Sequence, residues 1–358
     1  MGQNSSSSKT QGENGEPIET MNAVVMCGLN ERKFTSDKPK PIAGKQQVVV
    51  QVKAAAVNPV DYKLQKAAIF MPNRVMGVDF AGVVVEVGAE VKDFAKGDRV
   101  FGTAQGSLAE YAKCSIAEIA KMPEAFSFAE CAALPVTFLT AYQSLKEYGY
   151  KKGQSLVVIG ASGGAGTAAI IMGRAIGGPD AEIIGVCSGK NAEMVKKLGA
   201  DRVIDYTKET PLRAVGKGNV DFVYDAASYS GGGEDYIKQS KDMITLDGMY
   251  VAINGPILAW LKMFTGWEED QRKMHLADYR GSDLKEIVDL LEKNNQKPVI
   301  GKVMEFNEAN VETAYKDLQG RRTKGKIILS MDTEATPVTP TENTSSNPEV
   351  STTSIASS

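Results

Sequence analysis

The chain has 358 residues, 41 basic against 44 acidic, and 42% of it is hydrophobic. That balance excludes a strongly basic nucleic-acid-binding surface, and no apolar run approaches the ~20 residues that span a bilayer. Four scattered cysteines without a CxxC pair fit a reducing compartment, hence the cytoplasm, better than a disulfide framework.

Residues 1–20, MGQNSSSSKTQGENGEPIET, hold almost nothing apolar to offset chain entropy and read as a disordered tail. Within it Met1-Gly2-Gln3-Asn4-Ser5-Ser6 fits the N-myristoylation pattern, with Gly2 as the acceptor. One myristoyl chain without a nearby cysteine or polybasic run supports a reversible, peripheral membrane contact and nothing stronger. From 21 to 136, residues 46–53, 81–87 and 98–101 read as short strands, closely punctuated by Gly and Pro. That is the rhythm of a β-barrel-like domain.

From 137 to 282 the pattern changes. The apolar run 155–159 breaks into Gly160-Ala161-Ser162-Gly163-Gly164-Ala165-Gly166 and continues with helical periodicity to residue 176. Strand, glycine turn and helix N-terminus in that order cradle a dinucleotide diphosphate, with Ser162, Gly163, Gly164, Ala165 and Gly166 lining it. Strands at 182–188, 202–206, 220–225 and 248–254 follow, with helices at 191–198 and 234–244. This alternation predicts an α/β fold, a doubly wound parallel sheet of the Rossmann type. The second strand ends at Ser188-Gly189-Lys190, where an NAD site carries Asp or Glu for the ribose 2′-hydroxyl. A hydroxyl and an ammonium instead favour the 2′-phosphate of NADPH. Asn254, at a strand end, is a candidate contact for the nicotinamide carboxamide.

The stretch 253–267 is unusually apolar for a loop and suits either a pocket wall for a lipophilic acceptor or a homodimer contact. A helix at 283–294 precedes strands at 299–306 and 326–331, which can complete the first domain; residues 333–358 read as a second disordered tail. The domain limits are therefore 21–136, completed by about 283–332, and 137–282. The single histidine, His275, reads as a surface or packing residue, and no His/Cys cluster has zinc spacing, so no metal is expected.

Several segments recur together in one family: Ala56-Val-Asn58-Pro59-Val-Asp61, Gly77-Val-Asp-Phe-Ala-Gly82, Gly97-Asp-Arg-Val-Phe-Gly102, Ala133-Leu-Pro135, the 160–166 turn and Gly325-Lys326. On these the chain resembles the medium-chain dehydrogenase/reductase superfamily, in its zinc-free quinone oxidoreductase-like branch. The resemblance implies a GroES-like catalytic domain beside the Rossmann domain, with a cleft between them. It also implies hydride transfer from NADPH to a small lipophilic quinone or α,β-unsaturated carbonyl. Zinc-dependent relatives carry a cysteine where this chain has Asn58-Pro59 and a His-Glu pair where it has Val78-Asp79. The resemblance puts 58–63 under the nicotinamide. Lys63 is then the first candidate to offset charge on the acceptor, Tyr62 the next as proton donor or stacking ring, and Asn58 the third as hydrogen-bond donor. It also directs Tyr206 to the 2′-phosphate. Two other readings stay open: an enoyl-thioester reductase, and a non-enzymatic NADPH-binding sensor or adaptor at a membrane.

Overall fold

A computed structural model describes residues 18–28, 31–65, 72–230, 235–266 and 270–332. Gly2 with its expected lipidation, the tails at 1–17 and 333–358, and Trp267 lie outside the described residues.

The strands in chain order are β1 (Thr20–Gly28), β2 (Glu31–Pro39), β3 (Gln47–Ala56), β4 (Asp79–Val87), β5 (Arg99–Thr103), β6 (Tyr111–Ser115), β7 (Ile119–Lys121), β8 (Leu156–Ile159), β9 (Ile183–Cys187), β10 (Arg202–Asp205), β11 (Val220–Asp225), β12 (Ile244–Ala252), β13 (Arg272–Met274), β14 (Ile300–Glu305) and β15 (Lys326–Ser330). The helices are α1 (Pro59–Gln65), α2 (Phe128–Ala132), α3 (Pro135–Glu147), α4 (Gly164–Gly177), α5 (Ala192–Lys197), α6 (Pro211–Val215), α7 (Ile237–Met243), α8 (Ile257–Thr265), α9 (Gly281–Lys293) and α10 (Glu308–Gln319).

One sheet has the order β10-β9-β8-β11-β12-β13, parallel throughout. β8 and β9 are runs without a charged side chain, and β11 is buried at all but Asp221, as in strands covered on both faces. The chain starts at β8, runs outward through β9 to β10, then returns to β11 on the other side of β8. That reversal opens a crevice beyond the carboxyl ends of β8 and β11, the place where such sheets bind ligands. A second sheet has the order β14-β15-β3-β4-β5-β7, with β6 also on β3. Its second pairing is remote in sequence: Ile328 of β15 faces Ala56 of β3. β1 and β2 form a separate antiparallel hairpin. Helix α3, buried from Pro135 to Leu145 except Val136, belongs to the apolar cluster that joins both sheets.

Two expectations change. The stretch 253–267 is not a loop, because α8 occupies most of it. Its Trp260 and Met263 pack against the parallel sheet, while Ile257 and Phe264 are 79% and 70% exposed. β12 begins at Ile244, four residues before the strand expected there. Among the described residues no helix is long and apolar enough to cross a membrane.

Candidate active site

At the end of β8 the backbone turns sharply, with Gly160 at φ 82° and Gly163 as the N-cap of α4. The first-turn N–H groups of a helix have no intrahelical acceptor, and they face the anion-binding end of its dipole. Gly166 is required for packing: a Cβ there would lie 2.1 Å from the Gly160 carbonyl oxygen and 2.7 Å from Ala161 Cα. Gly166→Ala is therefore expected to lever α4 away from the turn and weaken dinucleotide binding about tenfold or more, the equivalent of ~1.4 kcal/mol or greater. Fluorescence titration with the cofactor checks this, and unchanged affinity would refute it.

The turn opens into a cleft of about 420 Å³ whose walls include Ser162, Gly164, Tyr206, Asn254, Lys63 and Asn58. Tyr206 is 47% exposed and its N–H donates to the Cys187 carbonyl at 3.3 Å, next to the half-buried Ser188. Lys190 is exposed two residues further on and does not line the cleft. Sequence reasoning missed Asn191, which is buried and donates to Ser162 Oγ at 3.0 Å and to Ser188 Oγ at 3.3 Å. It ties the diphosphate turn to the end of β9, and its own Oδ1 is buried without a partner. A carboxylate also stands beside this turn. Asp205 Oδ1 accepts from Thr207 N at 3.1 Å and Thr207 Oγ1 at 2.7 Å, a bonding that holds its carboxyl below the ordinary range.

On the barrel side, Pro59 opens α1 and the Asp61 carboxylate reaches back to Asn58 N at 2.8 Å. This fixes the turn from which Lys63 extends. Lys63 Nζ donates to Asn254 Oδ1 at 2.6 Å, so two residues chosen independently from the sequence meet at the cleft. Asn58 is engaged at both ends of its amide. Its Nδ2 donates to Asp79 Oδ2 at 2.9 Å and its Oδ1 accepts from Lys326 Nζ. Tyr62 is not brought to the cleft: it packs half-buried against the barrel core, and burial raises its phenol pKa.

Lys326 occupies the centre of this region. Its Nζ also donates to Asp79 Oδ2 at 3.1 Å and to the Val57 carbonyl at 3.3 Å, and both charged groups are almost wholly buried. Removing either partner would leave an uncompensated buried charge, at a cost of ~3–5 kcal/mol. The preceding residue, Gly325, donates its N–H to the Ser162 carbonyl at 3.1 Å. One short segment thus touches both the diphosphate turn and the Asn58 loop.

Asp61 is fully buried, with Oδ2 accepting from Tyr315 at 3.2 Å as well as Asn58 N, and Oδ1 unpartnered. Burial, reinforced by the nearby Asp79 charge and opposed by the Asn58 bond, Lys326 and Tyr315, pushes its pKa up to about 7 from 3.8. The folded state therefore holds this proton more tightly than the unfolded chain. Its contribution is complete below about pH 4 and lost as pH rises through about 7, with a ceiling of ~4 kcal/mol at 1.36 kcal/mol per unit. Asp61→Asn is expected to flatten the fall in unfolding free energy between pH 5 and pH 8. Denaturant melts at both pH values measure it, and parallel slopes in the two proteins would sink the assignment.

Residues 44–136 match the alcohol dehydrogenase GroES-like domain family, and residues 198–329 match the zinc-binding dehydrogenase family. The chain is 33% identical over 311 residues to a 2-methylene-furan-3-one reductase of Solanum lycopersicum, covering 83% of this chain and 75% of that protein. It is 30% identical over 316 residues to a chloroplastic NADPH-dependent alkenal/one oxidoreductase of Arabidopsis thaliana, covering 84% and 76%. The structure of the quinone oxidoreductase from Coxiella burnetii superposes with a TM-score of 0.77 at 26% identity, covering 87% of this chain and all of that one. The chain belongs to the medium-chain dehydrogenase/reductase superfamily, in its quinone oxidoreductase-like branch.

As a member of that superfamily the protein is an oxidoreductase that uses a nicotinamide cofactor. The site suits such a group: the glycine turn and the start of α4 line the cleft, and Gly166 leaves no room for a Cβ where the helix meets the turn. His275 adds a buried, unpartnered Nε2 at the cleft wall, edge-on to Tyr148 at 5.8 Å. A zinc ion does not suit this member. The position between Asn58 and Asp79 is filled by the Lys326 ammonium, which donates to both. Among the described residues no group of three His, Cys, Asp or Glu side chains could hold a metal.

Proposed function

We propose that this protein is an NADPH-dependent, zinc-independent reductase that delivers hydride to a quinone or an α,β-unsaturated carbonyl. The observation that carries the reading is the meeting of Lys63 with Asn254 in a cleft that begins at the diphosphate turn. When bound, the reduced nicotinamide supplies the hydride. A conjugated acceptor spreads the incoming charge onto oxygen, so the protein's task is to orient two flat rings and to stabilise an anion. Lys63 offsets that anion. Asn254 would hold the carboxamide, and Asn58, held by Asp79 and Lys326, keeps its loop in place. Ser188, Lys190 and Tyr206 receive the 2′-phosphate, with Asn191 orienting the Ser188 hydroxyl. The names of the tomato and Arabidopsis relatives support both the acceptor class and the cofactor. The division into a catalytic part, 21–136 completed by about 283–332, and a dinucleotide part, 137–282, belongs to the same proposal. It draws support from the pairing of β15 with β3.

The test is oxidation of NADPH by the purified protein against a panel of quinones and enones, with products identified by mass. Saturated ketones or hydroquinones uphold the reading. Tight NADPH binding without turnover on any acceptor would replace it with a sensor or adaptor role.

A further inference from the structure

The reductase reading leaves one requirement open. Each turnover consumes a proton, and Tyr62, the tyrosine expected to give it, faces the barrel core. A different tyrosine lines the cleft. Tyr279, in the loop between β13 and α9, also lines a second cavity of about 200 Å³ that contains Asp61 and Glu118. It therefore stands between the reaction space and a separate chamber holding two carboxyl groups. Its hydroxyl has no hydrogen-bond partner among the described residues. Asp61, nine-tenths and more buried, also keeps Oδ1 unpartnered.

We propose that Tyr279 gives the proton to the reduced acceptor and that Asp61 and Glu118, in the cavity behind it, return that proton to the phenol. The proposal rests on the reductase reading. Hydride reaches the β-carbon of an enone, and the alkene electron pair shifts to make an enolate. The Tyr279 O–H bond then breaks, and its proton forms the new C–H bond at the α-carbon. The phenolate takes a proton from a carboxyl of Asp61 or Glu118, and that carboxylate is refilled from solvent. The sum is one NADPH and one proton consumed per saturated ketone, and a quinone is served alike with oxygen as the proton's destination.

The loop is built to hold such a donor still. Gln143 of α3 brackets it: Nε2 donates to the Asp278 carbonyl and to Asp283 Oδ2, both at 2.7 Å, while Oε1 accepts from Asp278 N at 2.9 Å. Gly281 lets α9 press onto β7, since a Cβ there would lie 2.2 Å from the Ile119 carbonyl oxygen. Burial first, then the charges of Asp79, Asp61 and Glu118, hold the Tyr279 phenol above its ordinary pKa, so it is protonated at neutral pH. Burial likewise raises Glu118, opposed by its bond from Thr103, which favours a carboxyl able to carry a proton. The other charged groups facing Asp61 are Asp79 and Lys326, and Tyr315 bonds to it. Arg74 also borders the second cavity.

The experiment uses the full chain, an α-methyl enone and deuterium oxide. The unaltered protein is expected to place deuterium on one face of the α-carbon. Tyr279→Phe is expected to lower kcat on the order of 100-fold, the low end for general acid catalysis, and to scramble the α-deuterium, with the NADPH Kd from fluorescence titration unchanged. Replacing Tyr279 with a fluorotyrosine keeps its shape, lowers its phenol pKa and should change kcat and its solvent isotope effect. Retention of both rate and stereospecific labelling in Tyr279→Phe, or a fluorotyrosine without effect, overturns the assignment while leaving the reductase reading intact. An unaltered protein that reduces no enone or quinone overturns both.

Discussion

Lys63→Met is expected to lower kcat on the order of 100-fold while leaving the affinity for the dinucleotide within a few-fold of the unaltered protein. Methionine keeps most of the stem and removes only the ammonium. The loss therefore falls on whatever charge develops during reaction, and removing one such stabilising donor costs 10²–10³ in rate in comparable sites. Lys63 is exposed in this structure, yet it already donates to Asn254 in the cleft that substrate and cofactor would share. As that cleft fills, water leaves and the charge acts through a lower dielectric. Steady-state kinetics with an enone, paired with a cofactor titration, separates the two effects. A kcat within threefold of the unaltered value would remove Lys63 from the chemistry, and a change confined to Kd would make it a binding residue.

Ser188→Asp combined with Lys190→Ala should raise the KM for NADPH on the order of 100-fold and leave that for NADH nearly unchanged. The two changes take away one donor and one cation and place a carboxylate against a dianionic phosphate. Hydrogen bonds to charged groups are worth ~1.5–3 kcal/mol each, and ~2.8 kcal/mol is a hundredfold. Asp205 makes this a demanding trial, because a carboxylate already sits next to Gly189, bonded to Thr207. Equal effects on the two cofactors would show that this turn does not read the 2′-position.

Much of the parallel sheet was legible because its inner strands are buried on both faces: β8 and β9 are runs without a charged side chain, and β11 interrupts its apolar residues only with Asp221 and Asp225. β11 matches its expected span residue for residue, and β8 lacks only Ser155. β2 was not legible: Glu-Arg-Lys-Phe-Thr-Ser-Asp-Lys-Pro holds a single large apolar side chain and gains its order from pairing with β1. α8 is not legible as a helix because its apolar residues do not form one buried stripe; several of the largest face outward. At the site, the glycine turn and Lys63 carried their chemistry in local sequence. The Lys326 contacts to Asn58 and Asp79 did not, since they join segments that only the fold makes neighbours. Gly325-Lys326 stood out in sequence as part of a family match and nothing more. Asn191 and Gln143 are legible only once the elements they tie together are placed.

The pairing of Ile328 with Ala56 also orders events on the ribosome. β3 is synthesised early and β15 after every other described strand, while β8 to β13 emerge consecutively with every partner of their own sheet. The cost of closing so long a loop grows only logarithmically, so the delay is one of supply rather than of entropy. The dinucleotide half can fold while the chain is still being made, whereas the Ala54–Ala56 edge waits for its neighbour. Until Lys326 arrives, the Asp79 carboxylate has no counter-charge among the described residues and the barrel has reason to stay open to water. A nascent chain stalled before residue 326 would therefore carry a finished nucleotide fold and an unfinished catalytic one.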